Sequence, residues 1–383
     1  LRFPGFEGEW ETKKLGEIAT FSKGKGISKS DIAENGLTEC IRYGELYTYY
    51  GEVINDIKSK TNVDTSNLVL SEVNDVIIPA SGETTIDIAT ASCVLKSGIA
   101  LGGDLNIIKT ENNGVFLSYY LNNKKKMEIA NLAQGISVVH LYSSQLATLT
   151  LSFPKLKEQN RISTFLALFD ERIQTQNKII EELKLLKNTI SKKIFSAQLS
   201  FKNENGYVFP KWDSKEVGEI FKITRGNVLA MNLLSNERNK EKPFPVYSSQ
   251  TKNKGLAGYH SDFLFENAIT WTTDGANAGD VNYRIGKFYC TNVCGVLLSK
   301  DGYANVCISE LINSVSKKYV SYVGNPKLMN GIMAKIKIPF PSLEEQHKIA
   351  DFLLSIDAKI EIETSILQQL ERQKTYFLAN LFI

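Results

Sequence analysis

The chain has 383 residues, 43% hydrophobic and 23% charged, with a net charge of +3. That length supports two or three cored domains, and the composition is that of an ordinary soluble protein. So small a net charge gives no global attraction to a polyanion, and no run of about 18 apolar residues exists to span a bilayer.

The opening LRFPGFEGEW lacks the basic-then-apolar order of a secretion signal, which points to the cytoplasm. Trp10, Leu15, Gly16, Glu17, Ile18 and Gly24 then form a pattern that returns 202 residues later as Trp212, Val217, Gly218, Glu219, Ile220 and Gly226. Between the opening and the first long helix, residues 1–152 carry 14 bases and 18 acids, an awkward balance for binding phosphates. Within them, 74–82 (NDVIIPASG) and 99–110 (IALGGDLNIIKT) read as buried strands bounded by loops. The lysine run 124–126 reads as a solvated helix end, and 147–154 (ATLTLSFP) as a last strand.

Residues 153–195 follow as one long helix with no interior Gly or Pro. Ile162, Leu166, Phe169, Ile173, Gln176, Ile180, Leu183, Lys187, Ile190 and Ile194 alternate steps of four and three, the seam of a coiled coil. The second globular part, 201–339, holds 18 bases and 12 acids. There 267–279 (NAITWTTDGANAG) takes the place of the first apolar run, 286–299 alternates like a strand, and 334–341 (AKIKIPFP) repeats the last strand. Residues 340–382 then repeat the helix at an offset of 187 with 14 identities, far above the rate of about one in fifteen expected by chance. The second seam runs through Ile349, Leu353, Ile356, Ile360, Glu363, Leu367, Leu370, Lys374, Phe377 and Leu381. Polar residues interrupt both seams at matching places, Gln176 with Glu363 and Lys187 with Lys374, as where a buried polar group fixes register. The helical segments carry net charges of +4 (153–200) and −3 (340–383), which favours their pairing.

The expected fold is therefore α+β with an internal pseudo-twofold repeat: two β-rich globular parts, 1–152 and 201–339, separated by a long antiparallel coiled coil of helices 153–200 and 340–383.

Enzymatic tools are missing. Gly24-Lys25-Gly26 is not a phosphate-cradling loop. Asn325-Pro326-Lys327-Leu328 lacks the aromatic that an adenine-methylating loop needs for stacking, and Glu182-Leu183-Lys184 is explained by helix charge pairing. Cys40, Cys93, Cys290, Cys294 and Cys307, an odd count without paired spacing, predict reduced, packed thiols. Cys290, Cys294 and Cys307 with His260 leave a zinc-dependent hydrolase as one alternative, although C-x3-C departs from the usual knuckle. A structural coiled-coil scaffold is the other. His140 and His347 are isolated.

Polar and aromatic loops are present instead. In 39–52 and 81–87 the candidates are Arg42, Tyr43, Tyr47, Thr84 and Thr85. In 247–260, 271–279 and 282–286 they are Ser248, Ser249, Gln250, Lys252, Asn253, Lys254, Tyr259, Trp271, Thr272, Thr273, Asn277 and Arg284. Such side chains read base edges and stack on bases, and equally decorate ordinary β-rich domains.

Two globular repeats, each opened by Trp-x4-[Leu/Val]-Gly-Glu-Ile and closed by a helix beginning Phe-Pro-x-Leu-x-Glu-Gln-x-x-Ile, resemble the specificity subunit of type I restriction-modification systems over essentially the whole chain. The resemblance implies two target recognition domains and a non-catalytic, DNA-binding subunit of a restriction endonuclease and adenine methyltransferase complex. It implies two docked methyltransferase subunits and motor-nuclease (restriction/translocase) subunits, with S-adenosylmethionine, ATP and magnesium bound by those partners and no cofactor or metal in this chain. Coil and docking candidates are Glu158, Gln159, Ile162, Phe165, Leu166, Gln176, Glu345, Gln346, Ile349, Phe352, Leu353 and Glu363. Antiparallel pairing is expected to bring Gln176 close to Glu363 and to space the half-sites by about one DNA turn, about 34–36 Å.

Overall fold

The computed structural model describes residues 2–249 and 253–382. The chain divides into two compact units, one of Leu1–Asn177 with Ser365–Ile383 and one of Lys178–Thr364. The long helices, Leu156–Phe195 and Leu343–Leu381, thus contribute to both units. Their seam residues merge with the globular cores: Ile162, Leu166 and Leu381 join the first, and Ile194, Ile349 and Leu353 the second.

In the first unit a five-stranded sheet runs in the order Ala19–Lys23, Leu105–Thr110, Val76–Pro79, Ser92–Val94, Val53–Ile54. A four-stranded sheet runs Ser59–Thr61, Thr38–Ile41, Ala100–Leu101, Val69–Leu70. Strand alternation divides two cores. Ile77 and Ile107 join Ile41 and Leu101, whereas Val76, Ile78 and Ile108 face Phe116 and Leu117 of the helix Gly114–Asn123. The segment 99–110 is two strands rather than one.

The second unit is built on a six-stranded sheet, Lys222–Arg225, Cys294–Leu298, Phe265–Thr272, Val281–Cys290, Phe244–Tyr247, Leu256–His260, covered by the helix Val306–Ser316. The expected strand over 286–299 is broken between Cys290 and Cys294. Its apolar side chains nevertheless share one cluster, Phe288, Cys290, Cys294 and Val296.

The repeated opening is structural. Glu11–Lys14 pairs with Thr150–Phe153, and Asp213–Glu216 with Lys337–Phe340, both antiparallel. Leu15 N–H donates to Leu149 O at 2.8 Å and Val217 N–H to Ile336 O at 2.9 Å. Glu17 and Glu219 cap their one-turn helices by accepting from Lys14 N at 3.2 Å and Glu216 N at 2.8 Å. A Cβ on Gly24 would sit 1.9 Å from the Gly102 oxygen, and one on Gly226 2.2 Å from the Cys290 oxygen, so both positions admit only glycine.

Within each unit the two helices run antiparallel. Phe165 meets Phe377 at 4.9 Å between ring centroids and Asp170 accepts from Lys374. In the other unit Lys187 donates to Asp357 at 2.8 Å. Every seam position named above is buried or half-buried, as knobs-into-holes packing requires.

The Leu-x-Glu-Gln signature ties each helix start to its globular unit. Gln159 accepts from Asn113 N at 3.0 Å and donates to Asn112 at 2.8 Å and Pro154 O at 2.9 Å. Gln346 accepts from Asn305 Nδ2 at 2.8 Å and donates to Pro341 O at 2.9 Å. Asn113 and Asn305 are the N-caps of the covering helices. Glu158 is ion-paired with Arg2 at 2.7 Å, and Glu345 accepts from the Trp212 indole at 2.7 Å.

Candidate nucleic-acid interface

In the first unit the structure gathers the two loops singled out by sequence. Tyr43 and Tyr47 border the short helix Tyr43–Leu46, and Thr84 caps Thr85–Ile88, accepting from Asp87 N at 3.1 Å. The helix Tyr43–Leu46 packs beside the strand Ser81–Gly82, so the loops share one locale; burial, with Tyr43, Glu83 and Asp87 nearby, holds the Tyr47 phenol above its ordinary pKa. Thr84 and Thr85 are exposed, while Arg42, Tyr43 and Tyr47 are half-buried. Arg42 pairs with the buried Glu45 at 3.2 Å. That contact holds one nitrogen of the guanidinium.

In the second unit Ser248, Ser249, Asn253, Lys254 and Asn277 come together. Asn277 Nδ2 donates to Ser249 O at 3.4 Å, Thr291 and Ser248 share a hydroxyl bond of 2.9 Å, and Ser248 N–H donates to Gly255 O at 2.8 Å. Tyr259 is half-buried on the neighbouring strand, its backbone bridged to Ser235. Gln250 and Lys252 lie outside the described residues. Asn253 and Lys254 are exposed and adopt φ of 51° and 52°, a left-handed conformation costing a non-glycine residue about 1 kcal/mol or more.

Four candidates are corrected by burial. Trp271, Thr272, Thr273 and Arg284 are between 0% and 9% exposed. The Trp271 indole donates to Leu328 O at 2.9 Å and Thr273 Oγ1 to Val293 O at 3.0 Å. Arg284 donates to Thr270 Oγ1 at 3.0 Å and Lys254 O at 2.7 Å, with its guanidinium 3.7 Å from the centroid of the Tyr247 ring. Trp271, Thr272 and Arg284 are part of the sheet, and Thr273 directly follows the strand Phe265–Thr272. Pattern alone could not separate them from their exposed neighbours, because a polar side chain in a strand shows its face only through its partners.

The docking set also turns inward. Glu158, Gln159, Ile162, Leu166, Gln176, Glu345, Gln346, Ile349, Leu353 and Glu363 are at most 8% exposed, and Phe165 and Phe352 pack on Phe377 and Phe201. Burial at these positions is what coil and helix-anchoring side chains require. Asn325-Pro326-Lys327-Leu328 is a structural turn: Gly275 N–H donates to Pro326 O at 2.9 Å, and Leu328 is fully buried. Cys307 lies in a different apolar cluster from Cys290 and Cys294, so the thiols do not converge. Burial pushes the Cys294 thiol up to about 11. Among the described residues no group of three or more His, Cys, Asp or Glu side chains could hold a metal ion, and no helix is long and apolar enough to cross a membrane.

What sequence reasoning missed is a pair of matching clamps. Lys187 meets Asp357 at 2.8 Å and Glu310 at 3.0 Å, and Lys374 meets Asp170 together with Glu52 at 3.5 Å. The shared Asp170/Asp357 and Lys187/Lys374 identities carried the signal, but only antiparallel geometry pairs the lysine of one repeat with the aspartate of the other.

Comparison with known proteins fits this architecture. The family described as "Type I restriction modification DNA specificity domain" matches residues 7–185 and 210–372. A Mycoplasma pneumoniae chain named as type I specificity subunit S.MpnORF201P is 34% identical over 218 residues, spanning 55% of this chain and 84% of that relative. The Mycoplasma pneumoniae type I restriction enzyme MpnII specificity subunit is 35% identical over 178 residues, 45% of this chain and 49% of its own. The crystal structure of a type I restriction-modification S subunit from M. genitalium shares the fold, with a TM-score of 0.69 at 19% identity over 98% of this chain and 96% of that one. The chain belongs to the type I restriction-modification DNA specificity family, and it is a specificity subunit for DNA target recognition.

Proposed function

We propose that each unit reads one half of a bipartite DNA target, and that the chain docks two methyltransferase subunits and, through the assembled complex, restriction/translocase subunits. S-adenosylmethionine, ATP and magnesium belong to those partners. Catalysis belongs to the complex of endonuclease and adenine methyltransferase, not to this chain alone. The observation that carries this reading is the duplication of one frame, the capped opening and the Gln-anchored helix, beneath two unlike loop clusters. A constant frame with variable loops is what two independent half-site readers need.

The reading residues we assign are Arg42, Tyr43, Tyr47, Thr84 and Thr85 in the first unit, and Ser248, Ser249, Asn253, Lys254, Tyr259 and Asn277 in the second, joined by Gln250 and Lys252 from sequence. The acidic balance of residues 1–152 supports partner subunits as the source of much of the positive charge that phosphates require. The test is methylation mapping of DNA modified by the assembled complex, with residues 201–339 exchanged for those of a relative. One half of the target changes and the other stays. If both halves changed, or if the isolated chain transferred methyl groups, the proposal would fail.

A further inference from the structure

The left-handed turn 253–255 and the buried Arg284 belong to one device. Asn253, Lys254 and Gly255 have φ of 51°, 52° and 87° in succession, and such backbone persists only where its surroundings over-determine it. Here Ser248 N–H holds Gly255 O at 2.8 Å, and Arg284 Nη2 holds Lys254 O at 2.7 Å. A Cβ on Gly255 would lie 2.7 Å from the Ser248 carbonyl oxygen, so this close approach also demands glycine. Arg284 is itself immobilised, by Thr270 Oγ1 at 3.0 Å on Nε and by the Tyr247 ring 3.7 Å from its guanidinium carbon.

Among the described residues no carboxylate forms an ion pair with Arg284, although it is only 8% exposed. Burying a cation without a counterion is unfavourable, and an apolar side chain would fill the same strand position at less cost. The charge makes sense if its rigid fork is needed to aim a backbone carbonyl, which a lysine's single rotatable ammonium does poorly.

We infer that Arg284 is a specificity-positioning residue: without touching DNA it fixes the turn that presents Asn253 and Lys254 to the base edges of one half-site. The inference rests on the reading of the second unit as a half-site reader. Asn and Lys are side chains that pair with adenine and guanine edges in the major groove, and such pairing depends on direction. A merely structural arginine would weaken binding to all sequences alike. A positioning arginine flattens discrimination at the few base pairs that the turn reads.

The test uses the full chain assembled with its methyltransferase subunits, as wild type, Arg284→Lys and Thr270→Val. Arg284→Lys keeps the charge and loses the fork. Thr270→Val is isosteric and frees Nε while leaving the guanidinium in place. Once the wild-type site is mapped by methylation, affinity is measured for a duplex carrying that site and for duplexes with single base pairs changed in each half. Discrimination at one or two positions of one half-site should fall about 10- to 100-fold in Arg284→Lys and about three- to tenfold in Thr270→Val, the range a directed base contact supplies. Discrimination in the other half-site stays unchanged, and amide exchange at Ser248 accelerates in both variants. Should Arg284→Lys fail to assemble, Thr270→Val decides alone. Uniform weakening with discrimination retained overturns the inference, as does full discrimination despite a faster-exchanging Ser248. No site-specific methylation by the wild-type complex would instead overturn the half-site reading beneath it.

Discussion

The two clamps use equivalent residues for one bond and unrelated residues for the next. Lys187 with Asp357 and Lys374 with Asp170 are the same pair seen twice, at positions identical between the helix copies. The additional groups differ. In the second unit a further carboxylate comes from Glu310 on the covering helix Val306–Ser316. In the first unit it comes from Glu52, beside the strand Val53–Ile54, and Asp170 also accepts a hydrogen bond from Tyr119 of the covering helix Gly114–Asn123. Aligned on their Asn113 and Asn305 caps, the covering helices place Ser118 opposite Glu310 and Tyr119 opposite Leu311. A second carboxylate at the lysine was thus retained while its source moved to another element. A half-buried ammonium between helices constrains the charge around it more strongly than it constrains which segment delivers that charge.

The largest effect should come from breaking the clamps. Lys187→Met leaves Asp357 and Glu310 facing each other without a cation, and should cost about 3 kcal/mol. Lys374→Met leaves Asp170 with the Tyr119 hydroxyl as donor, and should cost nearer 2 kcal/mol. Native-state hydrogen exchange reads the units separately, through the amides of Val306–Ser316 and Gly114–Asn123. Equal losses would show the two clamps to be equivalent.

Next in size are the glutamines at the helix starts. Among the described residues the Gln159 side chain makes three hydrogen bonds and that of Gln346 two. Replacement by Leu should cost about 2 kcal/mol at Gln159 and about 1 kcal/mol at Gln346, since buried partners are left unsatisfied in proportion. Denaturant midpoints of the two variants check the order, and a greater loss at Gln346 would reverse it.

Much of the frame was legible because it is written in spacing. The seam steps, the paired Phe-Pro starts and the Gly-Glu-Ile openings each have a periodic or capping cause, and each marks an element that forms. Less legible was anything decided by which way a side chain faces. Thr272, Thr273 and Arg284 read as base-edge donors in a list of polar residues, yet all three are buried, Thr272 and Arg284 on neighbouring strands and Thr273 just past the end of the first. The break between Cys290 and Cys294 carries no Gly or Pro to announce it. Glu52 and Glu310 had no shared pattern to find, since they reach equivalent lysines from non-equivalent segments.

The subtlest difference between the units should appear in alkali. Burial alone would lower the Lys187 ammonium's pKa, but Asp357 and Glu310 outweigh it and raise it above the ordinary lysine value. A raised lysine contributes stability that is complete below the unfolded pKa, about 10.4, and is lost as pH climbs through the folded value. The stability gap between wild type and Lys187→Met should therefore be flat through neutral pH and close only above about pH 10.4. In the first unit burial and then the Asp170 charge push the Tyr119 phenol up, so it stays protonated after the unfolded tyrosine would ionise near pH 10. Its contribution is likewise present below that pH and lost above it. Tyr119→Phe should remove a late step from the tyrosinate absorbance titration, whereas Lys187→Met should leave that spectrum unchanged. If both variants altered the absorbance alike, the two clamps would be titrating as one system rather than as separate sites.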